Sequence, residues 1–386
     1  LVQKILLLEA HTIQATSIAK SLYKNGYHII SFCDEKFSYG YYTRYAHEKR
    51  LTPSCTKDPD KYYRYLLDYL RSEKIAAVLP MSDDSAALLS KHRETLSQYT
   101  AFAAPSYEVF ENGYDKNKLM AACRENDIPH PYTIDLSKHF DLQTMKYPAI
   151  LKPNITSGAR GMVIIHNPEE FWEKYPSIQR EYGNCHLQEY IPAGGNQFKV
   201  QLYLDKKNNL IQSSAICKYR WYPVHGGSSC CNESIENPDL INTCHKLLEK
   251  IKWVGFADFD LIEDPRDHSL KIMELNPRIP ACVKSAIVSG IDWGNVIVDD
   301  ILGNTQNNYT YTPGKFLRFL GFEILWFLKS PDRFKTHPNW FKFFGKNIFY
   351  QDLEFTDLKS FLFGTWGNIR KLCNPKFRQT KKGTNK

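Results

Sequence analysis

The sequence predicts a mixed α/β and α+β chain: a doubly wound parallel domain, a larger part built on antiparallel hairpins, and a basic, aromatic C-terminal extension. Three observations carry this reading. Short apolar strands alternate with helically spaced segments up to Pro105. Strands joined by short polar turns follow. Cations and aromatic rings concentrate from Thr310 onward. Strand–helix alternation implies a parallel sheet, because parallel neighbours need a crossover, whereas tight turns imply antiparallel pairing. The 386 residues are too many for one ordinary core and fit about two or three domains.

In order, residues 4–8 read as an apolar strand and 14–25 as a helix. That helix stops at Gly26, whose lack of a Cβ suits a C-terminal cap. Residues 27–32 and 75–80 read as strands, and 60–72 and 85–96 as helices. A parallel sheet invites a dinucleotide. The turn after the first strand, Glu9-Ala10-His11-Thr12, lacks the glycines that let a backbone approach a pyrophosphate, so no nicotinamide or flavin site is expected.

Beyond Pro105, residues 115–126 read as a helix ending before Pro129 and Pro131. Strand-like runs follow at 147–151, 161–166, 186–191, 198–205 and 210–220, the last two joined by the turn Lys206-Lys207-Asn208-Asn209. Residues 255–262 and 270–275 form a further pair around a polar turn. From about Thr310 helical spacing returns in parts, and 379–386 is too polar to build a core.

Hydrophobic residues make up 42% and charged residues 24%, ordinary for a folded soluble protein. The longest apolar run, 316–328, is broken by Arg318 and Glu323, so no membrane span is expected, and 4–9 is too short for a signal peptide. The ten cysteines are scattered without a C-x-x-C pair, which points to free thiols in a reducing cytosol. Residues 310–386 hold fifteen Lys or Arg and five Asp or Glu, a net of +10 against +8 for the whole chain. The rest is therefore slightly acidic.

Within this frame, Asp260 and the run Glu274-Leu275-Asn276-Pro277-Arg278 carry the chemistry. Two strands joined by a turn place Asp260 beside Glu274, and Asn276, two residues on, faces the same way. Such oxygen donors suit Mg²⁺. Asp258 shares that face and is a rival first ligand. Acids in an apolar strand need a purpose, since burying a charge is costly. Arg278 is placed to hold a phosphoryl group as charge develops. Lys152 ends a strand and opens a loop of small residues, 156–161, whose N–H groups can cradle phosphate. The segment Gln188-Glu189-Tyr190-Ile191 can offer backbone to an adenine edge and a carboxylate to ribose hydroxyls. Arg220, in Lys218-Tyr219-Arg220-Trp221-Tyr222-Pro223, and the stretch 226–229 are candidates to hold phosphate or a substrate carboxylate. No Ser-His-Asp or Cys-His order suggests a hydrolase.

The order of these pieces, with Lys116 at a helix start, resembles the ATP-grasp superfamily from the N-terminus to about Leu302. The Glu-Leu-Asn-Pro-Arg run is its most specific part. The resemblance implies a pre-ATP-grasp domain over 1–105, a two-lobed ATP-grasp domain over 106–305 with a lid lobe at about 115–190, and an extension over 306–386. It implies that Lys116, Lys152, Ser157, Gly158 and Gly161 hold ATP phosphates, and that Glu189, Tyr190 and Ile191 line the adenine and ribose pocket. Asp260, Glu274 and Asn276 would bind Mg²⁺, and Arg278 and Arg220 would act on the reacting groups. The implied activity is an ATP-dependent ligase that converts a carboxylate to an acyl phosphate for attack by an amine or thiol. An ATP-binding regulatory or scaffold protein is the alternative.

The expected partners are small carboxylate and amine substrates, with a homodimer allowed and no nucleic acid. The tail reads either as an extension packed on the body or as a peripheral contact with an anionic membrane, in a cytoplasmic protein.

Overall fold

The computed structural model describes residues 2–156, 160–224, 227–305 and 308–373, and within them the strands form three sheets. The first contains β1 (Lys4–Leu8), β2 (His28–Cys33), β3 (Glu48–Leu51) and β4 (Ala77–Pro80), all parallel in the order β3-β2-β1-β4. The helices Ile13–Lys24 and Pro59–Ser72 match the expected spacing. The helix expected over 85–96 is two, Asp83–Lys91 and Arg93–Leu96, parted at His92. β3 escaped the sequence reading because Glu-Lys-Arg-Leu at a half-exposed edge carries no apolar signal.

The second sheet runs β5-β8-β6-β7, antiparallel throughout, from β5 (Thr133–Asp135), β6 (Ala149–Pro153), β7 (Val163–Ile165) and β8 (Cys185–Glu189). The helix Pro168–Tyr182 closes one face by burying Phe171, Tyr175 and Ile178 against Leu151, Ile165 and Leu187. Residues 115–126 form the helix Lys116–Glu125, and Asp115 caps it by accepting from the N–H groups of Asn117 and Lys118.

The third sheet contains β9 (Gln197–Leu204), β10 (Leu210–Tyr222), β11 (Ser228–Ile235), β12 (Gly255–Glu263), β13 (Leu270–Asn276), β14 (Phe316–Arg318) and β15 (Ile348–Tyr350), in the order β13-β12-β9-β10-β11-β14-β15. Period-2 alternation divides its faces. Val200, Leu202, Ala257, Phe259, Leu261 and Leu275 enter a core closed by Leu240, Cys244, Leu247 and Leu248 of the helix Pro238–Lys250. Lys199, Asp258, Asp260, Glu274 and Asn276 lie on the other face. The helix Trp293–Leu302 shares a core with β1 and β4 through Trp293, Val296 and Ile297.

The extension is woven in rather than appended. β14 pairs with β11 and β15 lies parallel to β14, so part of it is strand. The helix Leu358–Cys373 docks near the N-terminus, where Phe363 stacks on Tyr42 at 3.8 Å and Ser360 donates to the Tyr39 carbonyl at 2.8 Å. Close approach there requires glycine: a Cβ on Gly367 would stand 2.1 Å from the Phe37 carbonyl oxygen. The ten cysteines are free, all buried but Cys373.

Gly367→Ala is expected to weaken this docking by about 1–3 kcal/mol, the usual scale of overpacking. Hydrogen exchange over 358–373 checks it; unchanged protection would show that the helix is held by other contacts.

Candidate active site

The register of one hairpin builds the site. Across β12 and β13, Asp260 stands opposite Glu274 and Asp258 opposite Asn276, so all four side chains share a face as their spacing predicted. Asn276 Nδ2 donates to Asp260 Oδ2 at 3.2 Å and lies 3.4 Å from Asp258 Oδ2. On its other side β12 pairs with β9, which sets Lys199 opposite Asp260. Lys199 Nζ reaches Asp258 Oδ2 at 2.6 Å and Asp260 Oδ2 at 2.7 Å, and Lys218 Nζ of β10 reaches Asp260 Oδ1 at 2.8 Å.

These cations make the acid group tenable in the sheet. Burial pushes the Asp258 carboxyl above its ordinary range, with Lys199 opposing. For Asp260 burial also works upward, but Lys199 and Lys218 outweigh it and hold the group ionised. Asp258 is fully buried, whereas the Asp260 side chain keeps 17% of its exposure and Glu274 keeps 35%. Of the two rivals, Asp260 is the one that opens toward Glu274.

A pair of lysines faces this hairpin, Lys116 from the start of the helix Lys116–Glu125 and Lys152 from β6 of the second sheet. Lys116 Nζ lies 3.5 Å from Glu274 Oε2 and donates to the Thr156 carbonyl at 2.8 Å. Lys152 is buried on β6 and donates to Gln188 Oε1 of β8. Burial lowers its ammonium to about 8, with Glu274 opposing and Lys116 adding to the fall. Ser157 and Gly158 lie outside the described residues. Gly161 sits at φ +69°, and a Cβ there would stand 2.8 Å from the Pro153 and Tyr182 side chains, so glycine is required at the end of the loop.

Glu189, Tyr190 and Ile191 follow β8 and are partly exposed. The Glu189 carboxylate is already engaged: it accepts from Tyr132 N at 3.1 Å and pairs with Lys271 at 2.8 Å and Arg266 at 3.1 Å. It ties the second sheet to the β12–β13 turn, and the N–H groups of Glu189 and Tyr190 are taken as well, by the carbonyls of Tyr132 at 2.8 Å and Pro148 at 3.2 Å. Arg278 continues from β13; its Nε lies 3.1 Å from Asp83 Oδ1 and its Nη2 is 3.5 Å from Asn276 Oδ1. A helix start of the first domain thus meets the acid hairpin.

Arg220 does not join this group, which corrects the sequence expectation. Its guanidinium is fully buried, donates to Glu323 Oε1 at 2.7 Å and Oε2 at 3.1 Å, and donates to the Pro338 carbonyl at 2.6 Å. The five donors of an arginine cannot serve a substrate while committed to a buried carboxylate and main chain. The phosphate-holding loop expected at 226–229 is also revised: Ser228 and Ser229 begin β11, paired with Tyr222 and Trp221, while Gly226 lies outside the described residues.

Sequence reasoning passed over Lys199, Lys218 and Asp83. A signal for Lys199 was present: it is the charged position among Phe198, Val200 and Leu202 in a strand otherwise fit for a core. Asp83 gave none, because its partner Arg278 is remote in sequence.

The donors fit a hard divalent cation. Asp260 and Glu274 bring carboxylate oxygens to one face, with the Asn276 amide beside them; here each Asp260 oxygen accepts from a lysine and Asn276 Oδ1 faces Arg278. Two hairpin-built sheets facing each other across acids and lysines, preceded by a parallel domain, give the chain the ATP-grasp fold. Residues 131–298 match the family described as carbamoyl-phosphate synthase L chain, ATP binding domain.

Among relatives, the D-aspartate ligase of Enterococcus faecium is 24% identical over 290 residues, 68% of each chain. The biotin carboxylase domain of the Hydrogenobacter thermophilus 2-oxoglutarate carboxylase, solved with MgADP, ADP and bicarbonate, superposes at a TM-score of 0.67 with 17% identity, covering 82% of this chain and 74% of that one. The L-amino acid ligase of Bacillus licheniformis superposes at 0.61 with 14% identity, covering 79% and 75%.

Arg220→Met is expected to cost about 3–5 kcal/mol of stability by leaving Glu323 short of a partner in the interior. Nucleotide affinity of the folded fraction should be unchanged. A stable variant with weakened nucleotide binding would return Arg220 to the site.

Proposed function

We propose that the cleft between the second and third sheets binds Mg-ATP and that the chain is a ligase. It phosphorylates a carboxylate and lets an amine displace the phosphate. The observation that carries this reading is the in-register convergence of Asp260, Glu274 and Asn276 opposite Lys116 and Lys152, with Arg278 at the strand end. Similarity to the D-aspartate ligase over 68% of both chains supports an amino acid as the carboxylate substrate.

In this reading Asp260, Glu274 and Asn276 hold Mg²⁺, which when bound neutralises phosphate oxygens and polarises the γ-phosphoryl group. Lys116 and Lys152 balance the remaining triphosphate charge. The backbone of 189–191 receives the adenine edge. Arg278 carries a guanidinium to the reacting phosphoryl group. The substrate carboxylate oxygen attacks the γ-phosphorus and ADP departs. The amine then attacks the acyl carbon, loses a proton, and expels phosphate. The carboxylate is a poor electrophile until its oxygen becomes a phosphate leaving group.

One observation favours the alternative of an ATP-binding protein without turnover: Lys199 already answers Asp258 and Asp260 with its own charge. The ligase reading is preferred because Glu274 remains partly exposed beside Lys116. A cytoplasmic location, where Mg-ATP and reduced thiols coexist, belongs to the same proposal.

Incubating the chain with Mg-ATP, candidate amino acids and hydroxylamine should yield a hydroxamate that names the carboxylate. Glu274→Gln should lower that yield at least about a hundredfold, the scale for removing a charge-stabilising group. Nucleotide binding without hydroxamate from any carboxylate would favour the alternative.

A pH test follows from Lys152. Its ammonium is lowered to about 8, so it is charged below that pH and loses its proton above it. Triphosphate affinity should therefore fall as pH rises through about 8, and calorimetric titration from neutral to alkaline pH reads it. The sign for stability is opposite. The unfolded chain binds the extra proton between about 8 and the ordinary lysine value, so this residue's contribution to stability rises with pH in that window. Flat affinity across the window would remove Lys152 from the phosphate site.

A further inference from the structure

We propose that the outer face of the helix Leu320–Lys329, together with the loop 331–347, docks on an anionic lipid surface. Exposed large apolar side chains are unevenly spread: ten of the eighteen in the described residues fall within 320–373. On this face Leu328 is 63% exposed, Phe334 71%, Phe341 54% and Phe344 83%. Isolated exposed hydrophobics are ordinary, but contiguous ones mark interaction surfaces. Here Phe334 and Phe341 are contiguous: Phe327 lies 5.6 Å from Phe334 and 5.7 Å from Phe341 between ring centroids, and Phe334 stacks on Phe341 at 6.3 Å.

The loop displays these rings from a fixed base. Arg220 and Arg318 both pair with Glu323 in the interior, and their remaining donors hold the carbonyls of Pro338, Trp340 and Lys342. Trp340 Nε1 in turn donates to the Glu323 carbonyl at 3.2 Å. With the carbonyls of Pro338, Trp340 and Lys342 so held, the rings of Phe341 and Phe344 stand exposed on an anchored backbone.

Charge selects the occupant. Between 329 and 346 stand Lys329, Arg333, Lys335, Lys342 and Lys346, against Asp332 as the exposed acid. Phe334, Phe341 and Phe344 each have a lysine within two residues in sequence. Protein interface cores are depleted in lysine, whereas aromatic rings set among cations are the pattern of segments that lie in an anionic lipid interface. Contact rather than crossing is implied, since among the described residues no single helix is long and apolar enough to span a membrane.

The test uses the full chain in flotation with vesicles of phosphatidylcholine alone or with about one-third phosphatidylglycerol. Binding to the anionic vesicles should exceed that to neutral ones by about tenfold or more and should weaken with added salt. The triple variant Phe334→Ser, Phe341→Ser, Phe344→Ser should lose about tenfold in binding, as should Lys335→Glu with Lys342→Glu. All these side chains are exposed, so the melting temperature and hydroxamate yield should be retained and would show that the variants fold. Equal binding by the triple variant and the parent overturns the proposal. So does self-association that the same substitutions abolish, which would make a second copy the occupant.

Discussion

The structure depends on keeping four oxygen-bearing side chains together on one face of a sheet. The acids among them, Asp258, Asp260 and Glu274, repel one another and lose water, and an interior tolerates such charges only when they are paired. Lys199 and Lys218 provide the pairing from the neighbouring strands. The same alternation that turns these groups to one face turns Phe259, Leu261 and Leu275 into the core on the other. A one-residue slip of β12 would exchange the two sets, so the packing of the core and the geometry of the site are a single constraint.

Around that constraint the other parts have separable duties. The second sheet brings Lys152 to the acids, the helix Lys116–Glu125 brings Lys116, and Glu189 ties the sheet to the acid hairpin through Lys271 and Arg266. The parallel domain reaches the site through Asp83, which meets Arg278. A second buried charge cluster, Arg220–Glu323–Arg318, lies apart from the acids and binds the extension to the large sheet. One cluster leaves acids partly open for chemistry. The other is closed, with every charge consumed by its neighbours and by main chain.

Much of this was legible along the chain. The alternating domain, the hairpins, the placement of Asp260, Glu274 and Asn276 on one face, and the ATP-grasp fold all followed from local period and from the order of short motifs. Arg220 was misread because an arginine at the end of a strand, before glycines and serines, has the local look of a cleft residue. Its true partner Glu323 is 103 positions away, and nothing local announces such a pair. Short strands such as β3, at an edge, and β14, between β11 and β15, were missed for a related reason: they are partly polar, and their identity comes from the strands they pair with.

By itself, then, the order of residues determined which elements form, which face each side chain takes, and which acids share a surface, since those depend on dihedral period and apolar spacing. The tertiary structure alone decided how charges separated by long stretches of chain are matched. It set Lys199 between two aspartates, closed Arg220 on Glu323, and left Asp260 more open than Asp258. The physical reason is that ion pairing and burial are set by distance in space, and β pairing brings together residues whose separation in sequence carries no trace of it.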